Sequence, residues 1–248
     1  MMESLKKRYK EGGVKLVINK ALWLYLKIDL PYTLNWKGYS LRGNNKVGFA
    51  TVFDEICNDE IYAIDGNIKT IVDVGANTGV ATVYFKHLFP NSKIIAVEPT
   101  EENTNFFKQN TEGMRDIHLI EQPIWSEKRK LGMQENWSTA GQSYNDSVNG
   151  KFTSITMPEL IQTFSLNKID LLKIDIEGGE GALLTENNSW LKNVQNIYVE
   201  IHTFSDYGLQ RYSTEKILAE LKSFGFKLIQ RKNNVWLFTK EKNMGESK

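Results

Sequence analysis

The sequence predicts an α/β fold: a mostly parallel sheet with helices on both faces, closed by a C-terminal antiparallel hairpin. Three observations lead there. From residue 69 onward short apolar runs alternate with amphipathic helical stretches, the pattern of a parallel sheet with crossover helices. A glycine-bearing turn follows the first of these strands and opens directly into a helical run. Finally, the last two apolar runs are separated by only a few polar residues, whereas a parallel return needs a dozen or more.

Strands are expected at 69–74, 93–98, 117–121, 169–175 and 195–201, and helices at about 79–89, 100–111, 157–165 and 178–191. A further helix at about 213–224 leads into the hairpin, Phe226–Gln230 and Val235–Thr239. The segment 123–156 breaks this rhythm. It is polar, carries Gly132, Gly141 and Gly150, and reads as an insertion near the site, a small β excursion or a lid. The division expected is an N-terminal helical segment over 1–65, the sheet domain over 66–242 and a tail at 243–248.

The N-terminal segment is read as helical. Val14, Val17, Ile18, Ala21, Leu24 and Tyr25 share one helical face. Residues 1–46 hold ten Lys or Arg against three acids, and the other 202 residues carry a net charge of −6. Such a helix packs on the body, on a second subunit as a homo-oligomer contact, or on anionic lipid.

Composition narrows the class. The chain has 248 residues, with 41% hydrophobic and 25% charged, which is ordinary for a globular protein and excludes wholesale disorder. One cysteine, Cys57, excludes a disulfide framework and any multi-cysteine metal site. The acidic body argues against a nucleic-acid clamp. No apolar run approaches the roughly 20 residues that span a bilayer, and no signal-peptide layout is seen. The protein is therefore expected in the cytoplasm, peripheral to the inner face of a membrane if its basic segment binds lipid. The N-x-S triplets at Asn136, Asn145 and Asn187 are read as chance.

The strongest motif is IVDVGANTGVATVYF at 71–85. Glycines there let the backbone turn sharply and approach a ligand, which in open sheets sits beyond the carboxyl ends of the strands. A dinucleotide fingerprint wants glycines at 75, 77 and 80, but this chain has Gly75, Asn77 and Val80. Asp73, at the strand end, suits a ligand ammonium group. Glu98 ends the next strand and can accept ribose hydroxyls, a role compatible with more than one nucleotide cofactor. Gln122, just past the third strand, is the candidate reader of an adenine edge.

The second motif is KIDLLKIDIEGGE at 168–180. Alternation places Lys173, Asp175 and Glu177 on one side of a central strand, where charge is rare unless it has a task. The neighbouring IYVEIHTF at 197–204 delivers Glu200 and His202 to the same edge. His202 is the one histidine of three placed there, and imidazole titrates near neutrality as a base should. His87 and His118 are read as packing or surface residues.

VDVGANTG, VEP, IDLLKIDIEGGE and VEIH, in that order over about residues 50–205, resemble the FkbM family of S-adenosylmethionine-dependent methyltransferases. The approach FDEICNDEIYAI at 53–64 resembles the short helix that precedes the first strand in that family. After the third strand the chain departs from the family, carrying Pro123, Trp125 and Ser126. The resemblance implies a class I, Rossmann-like methyltransferase fold, S-adenosylmethionine as donor, and O-methylation of a sugar, glycan, glycolipid or natural-product hydroxyl. By position, Asp73, Gly75, Asn77, Gly79 and Glu98 would hold the donor. Lys173, Asp175, Glu177, Glu200 and His202 would line the reaction centre, with Asp175 shared between the two groups. His202 is the expected base and Asp175 the second choice, while Glu200 orients the ring or contacts the substrate. No metal is assigned, although Asp175, Glu200 and His202 form the set that a divalent ion would use. The alternatives are a nicotinamide-dependent oxidoreductase and a non-catalytic nucleotide-binding module. Against the first stand the glycine spacing and the lack of a Tyr-x-x-x-Lys pair.

Overall fold

The computed structural model describes residue 19 and residues 22–133, 144–146, 150–202 and 212–240. Its centre is a seven-stranded sheet. In chain order the elements that build it are β3 (Thr70–Val74), α2 (Val80–Leu88), β4 (Lys93–Val97), α3 (Glu101–Asn110), β5 (Ile117–Ile120), α4 (Met157–Thr163), β9 (Ile169–Ile174), α5 (Glu180–Thr185), β10 (Val194–Glu200), α6 (Thr214–Ser223), β11 (Phe226–Lys232) and β12 (Val235–Lys240). The strand order is β11-β12-β10-β9-β3-β4-β5. The β10-β9, β9-β3, β3-β4 and β4-β5 pairs are parallel, and β12 is antiparallel to both β10 and β11. This is the Rossmann-like layout of a class I methyltransferase, as the sequence predicts.

Alternation along the central strands sends side chains to two cores. Ile71, Leu171 and Tyr198 pack with Tyr62, Val83, Tyr84 and Phe85 on one face. Val72, Val74, Leu172, Ile174, Ile197 and Val199 pack with Leu160, Leu183 and Leu221 on the other. Because both faces are covered, these strands read as continuous apolar runs rather than as alternating ones. Helix α4 starts where its sequence says it should. The Thr156 side chain accepts from the Glu159 backbone N–H, the Glu159 side chain accepts from Thr156 N–H, and a proline follows in the first turn.

The N-terminal segment differs from the helical expectation. Residues Tyr32–Trp36 (β1) and Tyr39–Gly43 (β2) form an antiparallel hairpin. The physical reason lies in the local pattern: Tyr32, Leu34 and Trp36 are buried while Thr33 and Asn35 are exposed, a period of two. Lys37 (φ 45°) and Gly38 (φ 89°) supply the left-handed turn that matches strand twist. The hairpin packs on α2 through Trp36, whose ring lies 5.5 Å from Tyr84 and 4.9 Å from His87. Helix α1 (Phe49–Phe53) then runs into a π-helical turn, Asp54–Asn58. Half of the helix read over 14–27 lies outside the described residues, and 22–26 form a single π-helical turn. Within the 123–156 segment, β6 (Lys130–Met133) pairs with β7 (Tyr144–Asp146) and β8 (Phe152–Thr153) in a small antiparallel sheet. Among the described residues no helix is long and apolar enough to cross a membrane.

Candidate active site

The functional edge is made where β3 and β9 end side by side. Gly75 leaves β3 at φ 80°, and its N–H and that of Ala76 both donate to the Val97 carbonyl, at 2.9 and 3.0 Å. A Cβ on Gly75 would lie 1.8 Å from the Asp175 carbonyl oxygen, so only glycine fits this approach. Asn77 (φ 49°) continues the turn and caps it by accepting from Thr78 N–H at 2.6 Å. Gly79 (φ 84°) opens α2, and a Cβ there would press on Phe107 at 2.9 Å; its smallness serves helix packing rather than a ligand.

Two cavities flank this turn. The first, about 600 Å³ of space including its open mouth, is lined by Glu98, Asn103, Ile124 and Trp125. The second, about 810 Å³ by the same measure, is lined by Glu55, Lys173 and Glu200. Gly75, Asn77, Asp175 and Glu177 border both.

In the first cavity Glu98 is buried and accepts from Asn77 N–H (2.9 Å), Thr100 N–H (3.0 Å) and the Asn103 amide (3.1 Å). Burial raises its carboxyl pKa against the lowering effect of these bonds. Asn103 was not singled out in the sequence, yet it lines the cavity and its Oδ1 is buried without a hydrogen-bond donor among the described residues. Gln122 lies elsewhere. It is exposed and borders a separate groove with Lys128 and Glu159, because the chain turns at Pro123 and sends Trp125 to the cavity instead. Trp125 is held by its N–H to the Ile155 carbonyl (3.0 Å), and the Arg129 guanidinium lies 5.8 Å from its ring.

Asp73 is fully buried and borders neither cavity. Its Oδ2 accepts from the Thr82 hydroxyl at 2.7 Å, and its Oδ1 lies 3.4 Å from Lys173 Nζ. Lys173 stands opposite Asp73 in the β3–β9 register, donates to the Gly75 carbonyl at 2.6 Å, and is 3.5 Å from Asp175. Burial pulls its pKa down, but the Asp73 and Asp175 carboxylates outweigh that and hold it above its ordinary value. Lys173, expected among the catalytic groups, is thus a charged brace joining the two strand ends.

His202 departs most from the expectation. Its Nδ1 is 2.9 Å from Glu180 Oε1, and its Nε2 is 3.2 Å from Glu177 and 3.7 Å from Glu200. Burial lowers the imidazole pKa, yet the hydrogen bond to Glu180 and the charges of Glu180, Glu177 and Asp175 outweigh it and push it up to about 10. An imidazole held protonated near neutrality is a poor proton acceptor, which points away from His202 as the base. Asp175, Glu200 and His202 do offer ligand atoms within 4.8 Å of one another. A divalent ion there would have to displace the imidazole proton, so its binding would release a proton and strengthen as pH rises.

Of the two roles expected for Glu200, its place on the second cavity favours contact with the substrate. Burial first, and the neighbouring Asp175 charge second, push its carboxyl up to about 8. It lines the second cavity, and a carboxyl so tuned suits proton abstraction. Glu180, buried and also not singled out, accepts from the Ile176 and Gly178 N–H groups as well as facing His202. The signal for it was an acid in the first turn of the helix after Gly178-Gly179.

A sequence model described as a methyltransferase FkbM domain matches residues 73–228. The AMB antimetabolite synthetase AmbE of Pseudomonas aeruginosa is 22% identical over 84% of this chain, which spans only 12% of that protein's length. The hexuronic acid methyltransferase AglP of Haloferax volcanii is 22% identical over 75% of this chain and 72% of its own. Among solved structures, a methyltransferase FkbM from Methylobacillus flagellatus aligns with a TM-score of 0.45 and 13% identity, covering 71% of this chain and 44% of that one.

Proposed function

The chain belongs to the FkbM methyltransferase family, and from that premise we propose that it transfers the methyl group of S-adenosylmethionine to a hydroxyl of a polyhydroxylated acceptor such as a sugar, a glycan or a hydroxylated natural product. The observation that carries this reading is the shared wall. Gly75, Asn77, Asp175 and Glu177 border both cavities, so a methyl group held in the first can face a hydroxyl held in the second.

The residues of the first cavity suit such a donor. Among the described residues Asn103 Oδ1 has no donor, and a ribose hydroxyl can supply one. Glu98 has its roughly four acceptor sites met by the protein, Thr100 contributing through both backbone and side chain. A ribose hydroxyl binds it by displacing the Thr100 hydroxyl or the Asn103 amide. Trp125 and Ile124 offer apolar surface to a purine. Asp175, partly exposed on the shared wall, faces the donor's positive charge, while Asp73 acts through Lys173 to fix the turn.

When bound, the donor supplies an electrophilic methyl on a positively charged sulfur. Glu200 takes the acceptor's proton as the oxygen–carbon bond forms and the carbon–sulfur bond breaks. His202, as imidazolium, lowers the Glu200 pKa toward the working range. The carboxylates Glu55, Asp175, Glu177 and Glu200 accept hydrogen bonds from hydroxyls and repel anions, which favours an uncharged acceptor.

Calorimetric titration with S-adenosylmethionine, S-adenosylhomocysteine and NAD, repeated on Glu98→Ala, tests the donor. Binding of the two sulfur compounds alone, weakened in the variant, is expected. Binding of NAD alone overturns the reading.

A further inference from the structure

Seven large hydrophobic side chains are exposed among the described residues, and five of them fall between residues 24 and 30. They are Leu24 (54% exposed), Tyr25 (83%), Leu26 (63%), Ile28 (46%) and Leu30 (46%). We propose that residues 22–30 dock this enzyme on a lipid bilayer bearing anionic headgroups.

The form of the exposure distinguishes lipid from a protein partner. Residues 22–26 make a single π-helical turn with no buried side chain. Leu24, Tyr25 and Leu26 are consecutive, so they leave that turn in three directions rather than along one stripe. A flat protein face rewards a stripe, whereas acyl chains accept apolar groups on every side. Trp23 and Tyr25 are the amphipathic aromatics that settle at the headgroup level. Lys27 Nζ lies 5.8 Å from the Trp23 ring, where its aliphatic stem lies along apolar surface and its charge can reach the headgroups.

Charge selects the kind of bilayer. Residues 1–21 contain six Lys or Arg and two Glu, so the chain that precedes the apolar turn is cationic. That charge is complementary to anionic lipid and would oppose the apposition of two copies through the same segment.

The segment is also fixed to the body beside the site. Asp29 accepts from Asn45 N–H (3.0 Å) and Lys46 N–H (2.8 Å). Gly48 N–H in turn donates to the Asn45 carbonyl at 3.0 Å, and Gly48 lines the second cavity. Docking through residues 22–30 therefore brings the second cavity close to the membrane surface.

The test is co-sedimentation of the full chain with phosphatidylcholine vesicles, with and without phosphatidylglycerol. It is repeated on the triple variant Leu24→Gln, Tyr25→Gln, Leu26→Gln, whose exposed positions leave folding intact by circular dichroism. Binding to the anionic vesicles that weakens with salt and falls about tenfold or more in the variant is expected. Three results would each overturn the proposal: no binding to anionic vesicles at low salt, equal binding by the variant, or light scattering that shows a dimer split by these substitutions. Vesicle binding requires no donor, so its outcome is independent of the titration that tests the methyl-transfer reading.

Discussion

Glu180 and His202 are 22 residues apart in sequence, yet Glu180 Oε1 lies 2.9 Å from His202 Nδ1. The same carboxylate accepts from Ile176 N–H and Gly178 N–H, each at 3.0 Å. One buried acid thus holds both the loop after β9 and the ring after β10. Glu180→Gln keeps the shape but removes the charge, and charge-assisted bonds of this kind are worth roughly 1.5–3 kcal/mol each. A loss of stability on that scale is expected in urea unfolding at neutral pH. An unchanged midpoint would show that the acid holds nothing.

The same relationship makes stability depend on pH. The His202 pKa is raised from 6.5 to about 10 in the folded chain. Its stabilising contribution is fully present below the unfolded value and is lost as pH rises through the folded one. Glu200, raised from 4.5 to about 8, has the same sign over a lower window. The free energy of unfolding therefore declines between about pH 4.5 and 10, most steeply between 6.5 and 8 where the two windows overlap. His202→Ala should flatten that decline above pH 7, measured by thermal unfolding across the range. An equal slope in the variant would remove His202 from the account.

The Glu200 carboxyl is expected to act only when ionised, so turnover should rise with pH through an apparent pKa near 8. Glu200→Gln should lose about 10²–10⁴-fold in kcat and flatten the profile. His202→Ala should keep the rising limb and move it to higher pH, because the imidazolium charge that eases Glu200 ionisation is gone. If the limb disappears in His202→Ala and survives in Glu200→Gln, their roles are reversed.

Gly75→Ala places a methyl group 1.8 Å from the Asp175 carbonyl at a φ of 80°. Separating β3 from β9 there should cost about 3 kcal/mol or more, seen as a large drop in melting temperature or as insoluble expression. A soluble variant of parental stability would show that the two strand ends yield easily.

Trp125→Ala should weaken donor affinity by about tenfold through lost apolar contact, whereas Gln122→Ala should leave it unchanged. Calorimetric titration with S-adenosylhomocysteine reads both. Equal losses would return Gln122 to the donor site.

Much of the sheet was legible because its signals are local. An apolar run bounded by Gly75, or Met157-Pro158 after Thr156, reports its own element with no help from elsewhere in the chain. The β1–β2 hairpin was equally local in Tyr32, Leu34 and Trp36, but the amphipathic pattern just before it was extended too far. Glu180, which went unassigned, and Glu200, whose role stood between orienting the ring and meeting the substrate, are decided by neighbours. Their environments come from His202, Asp175, Glu177 and the backbone of residues 176–178, which only the packed strands bring together.

By itself the sequence determined the order of strands and helices in the central sheet, the Gly75–Gly79 turn, the row of charge on β9 and β10, and the family that this pattern resembles. The tertiary structure decided which of those charged groups meet a cavity and which brace the frame. It turned Asp73 inward against Lys173, directed Trp125 rather than Gln122 to the first cavity, and surrounded His202 with carboxylates. The reason is physical: strand and turn propensities act over a few residues, whereas burial and ionisation sum over every group within several ångströms, whatever its distance along the chain.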